Sequence, residues 1–234
     1  MSVAHAYAPA VSGPSEARLA FLRKVGLYTF GGLSLTALVA VVSTFTVAPV
    51  LLQVRYGAMI GVLGAFLFSH ILCRKMVYGA MKLPGFVLGM LGEGFSFSFL
   101  LFITIFGFGD LAVSEGIGVV AKAMAITAAS GGGLFAYVWF NKSDLSMVKA
   151  GLSVLGIPML VLMALQLFFP VGGTLGLVIC AGFVLISGAA LLHKLHVVVH
   201  EMDDDMHVEA AFEITMALLV LLWNVISLLN RSRR

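Results

Sequence analysis

Long, uninterrupted apolar runs are the feature that most constrains this chain. About seven of them follow one another, and they cover residues 25–47, 57–73, 85–109, 117–140, 147–169, 175–199 and 208–229. An α-helix rises about 1.5 Å per residue, so roughly 20 apolar residues cross a hydrocarbon core of about 30 Å. Strands of a membrane barrel would be shorter, with apolar and polar residues alternating. The runs therefore predict an all-α, polytopic membrane protein with about seven transmembrane helices.

The composition leaves little room for a soluble fold. Of the 234 residues, 61% are hydrophobic and 11% are charged, whereas soluble domains carry about 25% charged residues. We expect the lipid bilayer to be the main partner. The net charge of +3 is small and no basic run interleaves with aromatic residues, so nucleic acid is not an expected ligand. The chain carries no known catalytic or phosphate-binding motif, so we expect neither enzymatic activity nor a cofactor.

The chain divides into a short tail and one membrane domain. Residues 1–20 contain proline, glycine, alanine and serine and no apolar run, which predicts a flexible N-terminal tail. Residues 21–234 form a single predicted transmembrane domain. Cys73 and Cys180 both fall inside apolar runs without metal-ligand spacing, so we interpret them as small buried hydrophobic residues.

The distribution of basic residues predicts an orientation. Lysine and arginine are more frequent in the tail and in the connections on its side of the membrane than on the opposite side. The positive-inside rule then places the N-terminus in the cytoplasm, and we expect a bacterial inner (plasma) membrane protein. With seven spans, the basic C-terminus lies outside, against the rule. An even number of spans, for example with a re-entrant last segment, would remove this conflict.

Two of the carboxylates within apolar runs are candidate sites. Glu93 is flanked by glycines in the third run, and Glu213 lies near the start of the last one. A charged group in the bilayer is costly, so both side chains should face the interior of the bundle. Glu93 is either an ion or proton site or a neutral side chain hydrogen-bonded to a neighbouring helix. Glu213 is either part of a central polar site or interfacial.

Three histidines end the sixth run. His193, His196 and His200 are spaced i, i+3 and i+7, which places them on one face of a helix. Imidazoles titrate near neutral pH, so the group is a candidate pH sensor. A metal site and an ordinary polar helix end are the alternatives.

An acidic segment follows these histidines directly. It contains Glu201, Asp203, Asp204 and Asp205. These carboxylates either concentrate cations at a pore mouth or form a solvated acidic loop. A protonated His193 or His196 near them would be stabilised.

Several short fragments occur in a recognisable order. They are Leu-Arg-Lys-Val at 22–25, Leu-Ser-Leu-Thr-Ala-Leu at 33–38, Ala-Ile-Thr-Ala-Ala at 125–129, Asp-Leu-Ser at 144–146, Ser-Gly at 187–188 and Asn-Val-Ile-Ser-Leu-Leu at 224–229. In order, spacing and hydropathy, most of residues 20–230 resembles the Bax inhibitor family, also called the transmembrane Bax inhibitor motif family.

The resemblance implies a fold and an activity. The implied fold has six helices around a central last helix, and the implied activity is a pH-sensitive leak of Ca²⁺ or other cations. Members of the family are also linked to stress protection and, in bacteria, to a membrane protease. They pair an Asp near the end of the sixth span with an Asp in the seventh, and a basic residue after the second span acts as a latch.

This chain departs from the implied pair. His193 stands where the first Asp is expected, and the second falls near Val220, so Glu213 is the nearest carboxylate. Arg74 fits the position of the basic latch. The sequence is thus identified as a divergent member that lacks the paired Asp residues.

Two functions of different kinds follow from these features. The first is a pH-sensitive calcium or cation leak, with Glu93 and Glu213 as intramembrane sites, His193, His196 and His200 as proton sensors, and Arg74 as a latch. The second is a non-transporting accessory subunit, assembly factor or protease modulator in a larger membrane complex. In the second case, the N-terminal tail would contact other membrane subunits.

Overall fold

The computed structural model describes residues 16–54, 56–107, 113–141 and 173–233, together with 145, 148, 150–152 and 154. Within these ranges the regular structure is helical. The helices are α1 (Glu16–Thr46), α2 (Ala48–Gln53), α3 (Gly57–Val77), α4 (Lys82–Phe106), α5 (Val113–Phe140), α6 (Gly173–His200) and α7 (His207–Ser232). In α3, the segment Phe68–Cys73 is π-helical.

Six of these helices are long and apolar enough to cross a membrane. Each of them overlaps one of the predicted runs, which confirms an all-α, polytopic membrane protein. The helices extend a few residues beyond most of the runs, and α1 begins at Glu16, within the segment predicted to be a flexible tail. The predicted span at 147–169 lies largely outside the described residues, as do residues 1–15. The number of seven spans therefore stays a prediction.

Helix α7 is the central helix of the bundle. It packs against α1, α3, α4, α5 and α6, and its buried residues are distributed along nearly its whole length. Every residue from Val208 to Met216 is buried, so all sides of the first part of α7 are covered by protein. The position of the last helix agrees with the architecture that the family resemblance implies.

The contacts between helix ends fix the directions of the helices. His200 Nε2, at the end of α6, lies 3.1 Å from the carbonyl oxygen of Val138 in α5. Arg233, at the end of α7, pairs with Glu115 at the start of α5, with 2.9 Å between Nη2 and Oε2. Helices α5 and α6 thus end together, and Phe140 and Gly173 lie at opposite ends of the bundle.

Helices α3 and α4 approach each other closely at Gly85. A Cβ atom at this position would lie 2.7 Å from Met76 Cβ, 2.8 Å from Val77 N and 3.0 Å from Cys73 O. Backbone atoms cannot turn aside as a side chain can, so the two helices would have to separate. Close approach of this kind at small residues is how helices associate in lipid.

We therefore expect Gly85→Ala to lower the free energy of unfolding by about 1–3 kcal/mol, the usual cost of overpacking. Unfolding of the detergent-solubilised chain with increasing SDS measures this change. Gly133→Ala on α5 is the matched control, because a Cβ atom there meets nothing within 4 Å. Equal stability of the two variants would contradict the close approach.

Candidate functional site

Glu213 is a buried carboxylate at the centre of a group of charged and polar side chains. Its Oε1 atom is 3.0 Å from Arg74 Nε and accepts a hydrogen bond of 3.0 Å from the Tyr78 hydroxyl. Its Oε2 atom pairs with the ammonium group of Lys194. Glu213 itself is buried, while the side chain of Arg74 is 54% exposed. These four residues, Glu213, Arg74, Tyr78 and Lys194, are called the Glu213 cluster below.

The helices bring these residues to a similar depth. Glu213 lies six residues after the start of α7, and Lys194 lies six residues before the end of α6. At about 1.5 Å per residue, each is roughly 9 Å from the turn that joins the two helices. Arg74 lies near the end of α3, and its long side chain reaches inward to the same level. Residues 201–206 connect α6 to α7, and Lys194 and Glu213 lie equally far from this connection. This equal distance places the two side chains in contact.

A cavity of about 180 Å³ borders the Glu213 cluster. Its lining residues come from α3, α6 and α7: His70, Arg74, Ser187, Ala190, Lys194, Phe212, Glu213, Met216, Ala217 and Val220. Val220, where the family resemblance implies a carboxylate, therefore lies in the same cavity as Glu213. Lys194, the residue that follows His193, also lines this cavity. The cavity thus contains a carboxylate and an ammonium group, beside rather than at the two positions where the resemblance implies Asp residues.

A second ion pair lies one helical turn from Glu213. Lys82 Nζ, at the start of α4, is 2.6 Å from Glu209 Oε1 on α7. Glu209 is almost fully buried, whereas the Lys82 side chain is 43% exposed. Since Glu209 and Glu213 are four residues apart, they lie on one face of α7.

Tyr78, which follows the end of α3, donates a hydrogen bond from its neutral hydroxyl to Glu213 on this face of α7. Its burial raises its pKa above the ordinary value, so the hydroxyl keeps its proton at neutral pH. The hydrogen bond to Glu213 stabilises the charged carboxylate.

Glu93 is buried between α4 and α3. His70 Nδ1 lies 3.2 Å from Glu93 Oε1 and 3.2 Å from the carbonyl oxygen of Phe66. A carbonyl oxygen can only accept, so the contact with Phe66 favours a proton on Nδ1. His70 is part of the π-helical segment and stacks on Phe66, with ring centroids 4.0 Å apart. Because His70 also lines the cavity of the Glu213 cluster, it connects the two carboxylates.

The three histidines of α6 lie near the end of that helix. The rings of His196 and His200 are neighbours, with centroids 4.8 Å apart. His193 is partly buried and one turn deeper. Within the described part of the chain, no three His, Cys, Asp or Glu side chains form a group that could hold a metal ion. This finding does not support the metal-site alternative for these histidines, and pH sensing stays a prediction.

The acidic segment forms the short connection between α6 and α7. Glu201, Asp203, Asp204 and Asp205 are all exposed there. Asp204 Oδ1 lies 2.7 Å from Arg18 Nη1. The segment is thus an exposed acidic loop that Arg18 of α1 contacts.

Apart from Arg74, which the sequence indicates as a basic latch, the partners of the buried carboxylates have no clear sequence signal. In the sequence, Lys194 and Lys82 are ordinary basic residues near predicted helix ends. Tyr78 is not part of a motif, and His70 is a single polar residue in an apolar run. One usable signal was present, namely the four-residue spacing of Glu209 and Glu213 at the start of the last run. Two carboxylates on one face of a membrane helix favour basic partners at the same depth.

These observations define a polytopic, α-helical integral membrane protein whose buried carboxylates are paired with basic side chains around a central helix. A family model described as "Inhibitor of apoptosis-promoting Bax1" matches residues 18–234. The chain therefore belongs to the Bax inhibitor family.

One curated relative matches part of the chain. It is the "Uncharacterized protein PA2604" of Pseudomonas aeruginosa, which is 34% identical over 90 residues. The match covers 38% of this chain and 40% of the relative. The chain thus spans less than half the length of that relative in the match.

Proposed function

We propose that this protein is a pH-modulated leak pathway for Ca²⁺ or other cations, and that Arg74 and Lys194 keep it closed by pairing with Glu213. The observation that carries the proposal is a single carboxylate, held by two basic side chains from different helices, at the wall of a cavity inside the bundle. Membership of the Bax inhibitor family supports the same activity.

The charges at the cavity explain why this arrangement would be closed. Arg74 and Lys194 both line the cavity with Glu213, so the fixed positive charges outnumber the negative one. A divalent cation entering the cavity would be repelled. When Arg74 leaves Glu213, the carboxylate becomes available as an oxygen ligand, which is the type of ligand that Ca²⁺ prefers. Arg74 is well placed to leave because its side chain is more than half exposed.

Protons would act on the same contacts. Protonation of Glu213 removes the charge that holds Arg74 and Lys194, and His70 links the cavity to Glu93. His193, His196 and His200 lie on α6, the helix that carries Lys194. Histidine is the side chain whose charge generally changes between about pH 5 and 8. We propose that these groups make the leak depend on pH.

The acidic loop lies at the end of the bundle where α7 begins, on the side of the Glu213 cluster. Its exposed carboxylates would raise the local concentration of cations. We also propose that this end faces the cytoplasm of a bacterial inner membrane. Helix α1 begins at the same end, and the positive-inside rule predicts a cytoplasmic N-terminus.

Flux of Ca²⁺ into proteoliposomes between about pH 6 and pH 8 tests the proposal, because this range includes the titration of histidine. We expect Arg74→Gln to raise the flux at every pH, and Glu213→Gln to reduce its dependence on pH. Glu93→Gln should alter the flux as well. Glu115→Gln is the control, because Glu115 is an exposed carboxylate at the opposite end of the bundle. Flux that none of Arg74→Gln, Glu213→Gln and Glu93→Gln changes would refute these roles.

A second candidate is a non-transporting subunit or modulator of a larger membrane assembly. The observation in its favour is that Glu93, Glu209 and Glu213 each have a basic neighbour in the bundle, as in a purely structural network. Purification from native membranes without crosslinker distinguishes the two candidates. A stoichiometric partner together with an absence of flux favours the second function, whereas a monomer with flux favours the first.

A further inference from the structure

A second, more open cavity lies on the outer side of the end of α3. It has a volume of about 410 Å³ and is lined by His70, Ile71, Arg74, Lys75 and Tyr78. We call it the α3 notch. It shares His70 and Arg74 with the inner cavity, but it opens toward the surroundings of the bundle.

The surface of the α3 notch carries positive charge. Lys75 is exposed, and Arg74 is 54% exposed although its Nε atom contacts Glu213. The nearby carboxylates of Glu209 and Glu213 lie buried beneath the surface. A molecule that approaches from outside therefore meets a guanidinium and an ammonium group one residue apart. Together they suit a phosphate group, since guanidinium hydrogen-bonds to phosphate oxygens and ammonium supplies a point charge.

The depth of the α3 notch in the membrane identifies the class of ligand. Arg74 and Lys75 lie in the last turn of α3, a helix that is long and apolar enough to cross a membrane, so we expect them at the level where it leaves the hydrocarbon region. Ile71 and Leu72, one turn deeper, are each about half exposed, at 52% and 51%. Basic residues next to exposed apolar residues at the end of a membrane helix match the headgroup and the first acyl carbons of a phospholipid.

We propose that the α3 notch binds the headgroup of an anionic phospholipid. Arg74 and Lys75 contact the phosphate, while Ile71 and the ring of Tyr78 contact the glycerol and acyl chains. A free phosphate ion would use the two cations but would gain nothing from the apolar wall. The site does not depend on whether the protein conducts ions, so this proposal and the proposed function can fail separately.

Native mass spectrometry of the full-length protein in detergent, titrated with phosphatidylglycerol or phosphatidylcholine, tests the site. We expect retention of phosphatidylglycerol over phosphatidylcholine, and Lys75→Gln should weaken this binding about fivefold, the effect of one basic residue near a lipid surface. Lys24→Gln is the matched control, because Lys24 is an exposed lysine on α1 toward the same end of the bundle. Lys75 is not part of the Glu213 cluster, so the variant should keep its fold.

Three results would overturn the proposal. The first is equal retention of the two lipids by the unmodified protein, a measurement that needs no variant. The second is an equal loss of binding in Lys24→Gln and Lys75→Gln, which would indicate general attraction to the charged surface. The third is displacement of phosphatidylglycerol by an equal concentration of inorganic phosphate, which would indicate a site for the free ion.

Discussion

Replacement of Glu213 by alanine is expected to lower the free energy of unfolding by about 3 kcal/mol, near the lower end of what removal of one partner from a buried ion pair costs. The change leaves Lys194 without the carboxylate that it contacts and removes the acceptor of the Tyr78 hydroxyl. Arg74 moderates the loss, because its half-exposed side chain can be hydrated again. SDS-induced unfolding in mixed micelles measures the change.

A double-mutant cycle separates the ion pair from simple loss of volume. Glu213→Gln keeps the shape and an acceptor for Tyr78, so it isolates the lost charge. Lys194→Met in the Glu213→Gln background removes the positive charge that has lost its counter-ion. We expect the double variant to be more stable than Glu213→Gln alone, because uncompensated buried charge is the main cost. The cycle also needs the single variant Lys194→Met. If the loss of stability in the double variant equals the sum of the losses in Glu213→Gln and Lys194→Met, Lys194 and Glu213 do not interact.

The sequence predicts the membrane helices well because hydropathy acts along the chain. Runs of apolar residues locate six described helices, and each helix can satisfy its backbone hydrogen bonds internally. The boundaries are less well predicted. Helix α4 begins at Lys82 and α5 at Val113, outside the apolar runs, since a helix continues into the headgroup region where charged residues are tolerated. The π-helical segment Phe68–Cys73 has no hydropathy signal at all.

The charged site is harder to predict because its members are far apart in sequence. Tyr78 and Glu213 are separated by 135 residues, and no local pattern reports such a pairing. A local sequence pattern does not give the depth of each side chain in the membrane, and this depth determines which residues can pair. Lys194 and Glu213 lie at equal distances from the ends of α6 and α7, and this symmetry can be read from the sequence once the two helices are known to be antiparallel neighbours.

The pairing at this site differs in kind from the one that the family resemblance implies. Two carboxylates that share a site hold one proton between them, because two like charges close together are costly. A carboxylate and an ammonium group stabilise each other when both are charged. The Glu213 cluster therefore needs no bound proton to be stable, and we expect its opening to require separation of charges. This difference makes the flux of Arg74→Gln, rather than that of a carboxylate variant alone, the most informative measurement.

Arg18 is the residue whose replacement we expect to have the second large effect on stability. Its Nη2 atom donates to Val198 O at 2.5 Å, Nε to Val199 O at 3.1 Å, and Nη1 to both Met202 O and Asp204 Oδ1 at 2.7 Å. The last carbonyl groups of a helix have no partner within the helix, and Arg18 supplies donors for two of them at the end of α6. One side chain of α1 thus holds the end of α6 and the acidic loop together.

We expect Arg18→Ala to lower the free energy of unfolding by about 2–3 kcal/mol, since hydrogen bonds to a charged group contribute about 1.5–3 kcal/mol each and are not additive. Amide hydrogen exchange should rise in residues 198–206 before it rises elsewhere. Arg18→Lys should recover little of the loss, because an ammonium group cannot reproduce the planar set of donors. Arg23→Ala is the control, as Arg23 is exposed on the same helix. Unchanged exchange at 198–206 in Arg18→Ala would mean that the acidic loop holds its position without α1. In that case the short connection between α6 and α7 would be sufficient to bring Lys194 to Glu213, because both residues lie six positions from the helix ends that it joins.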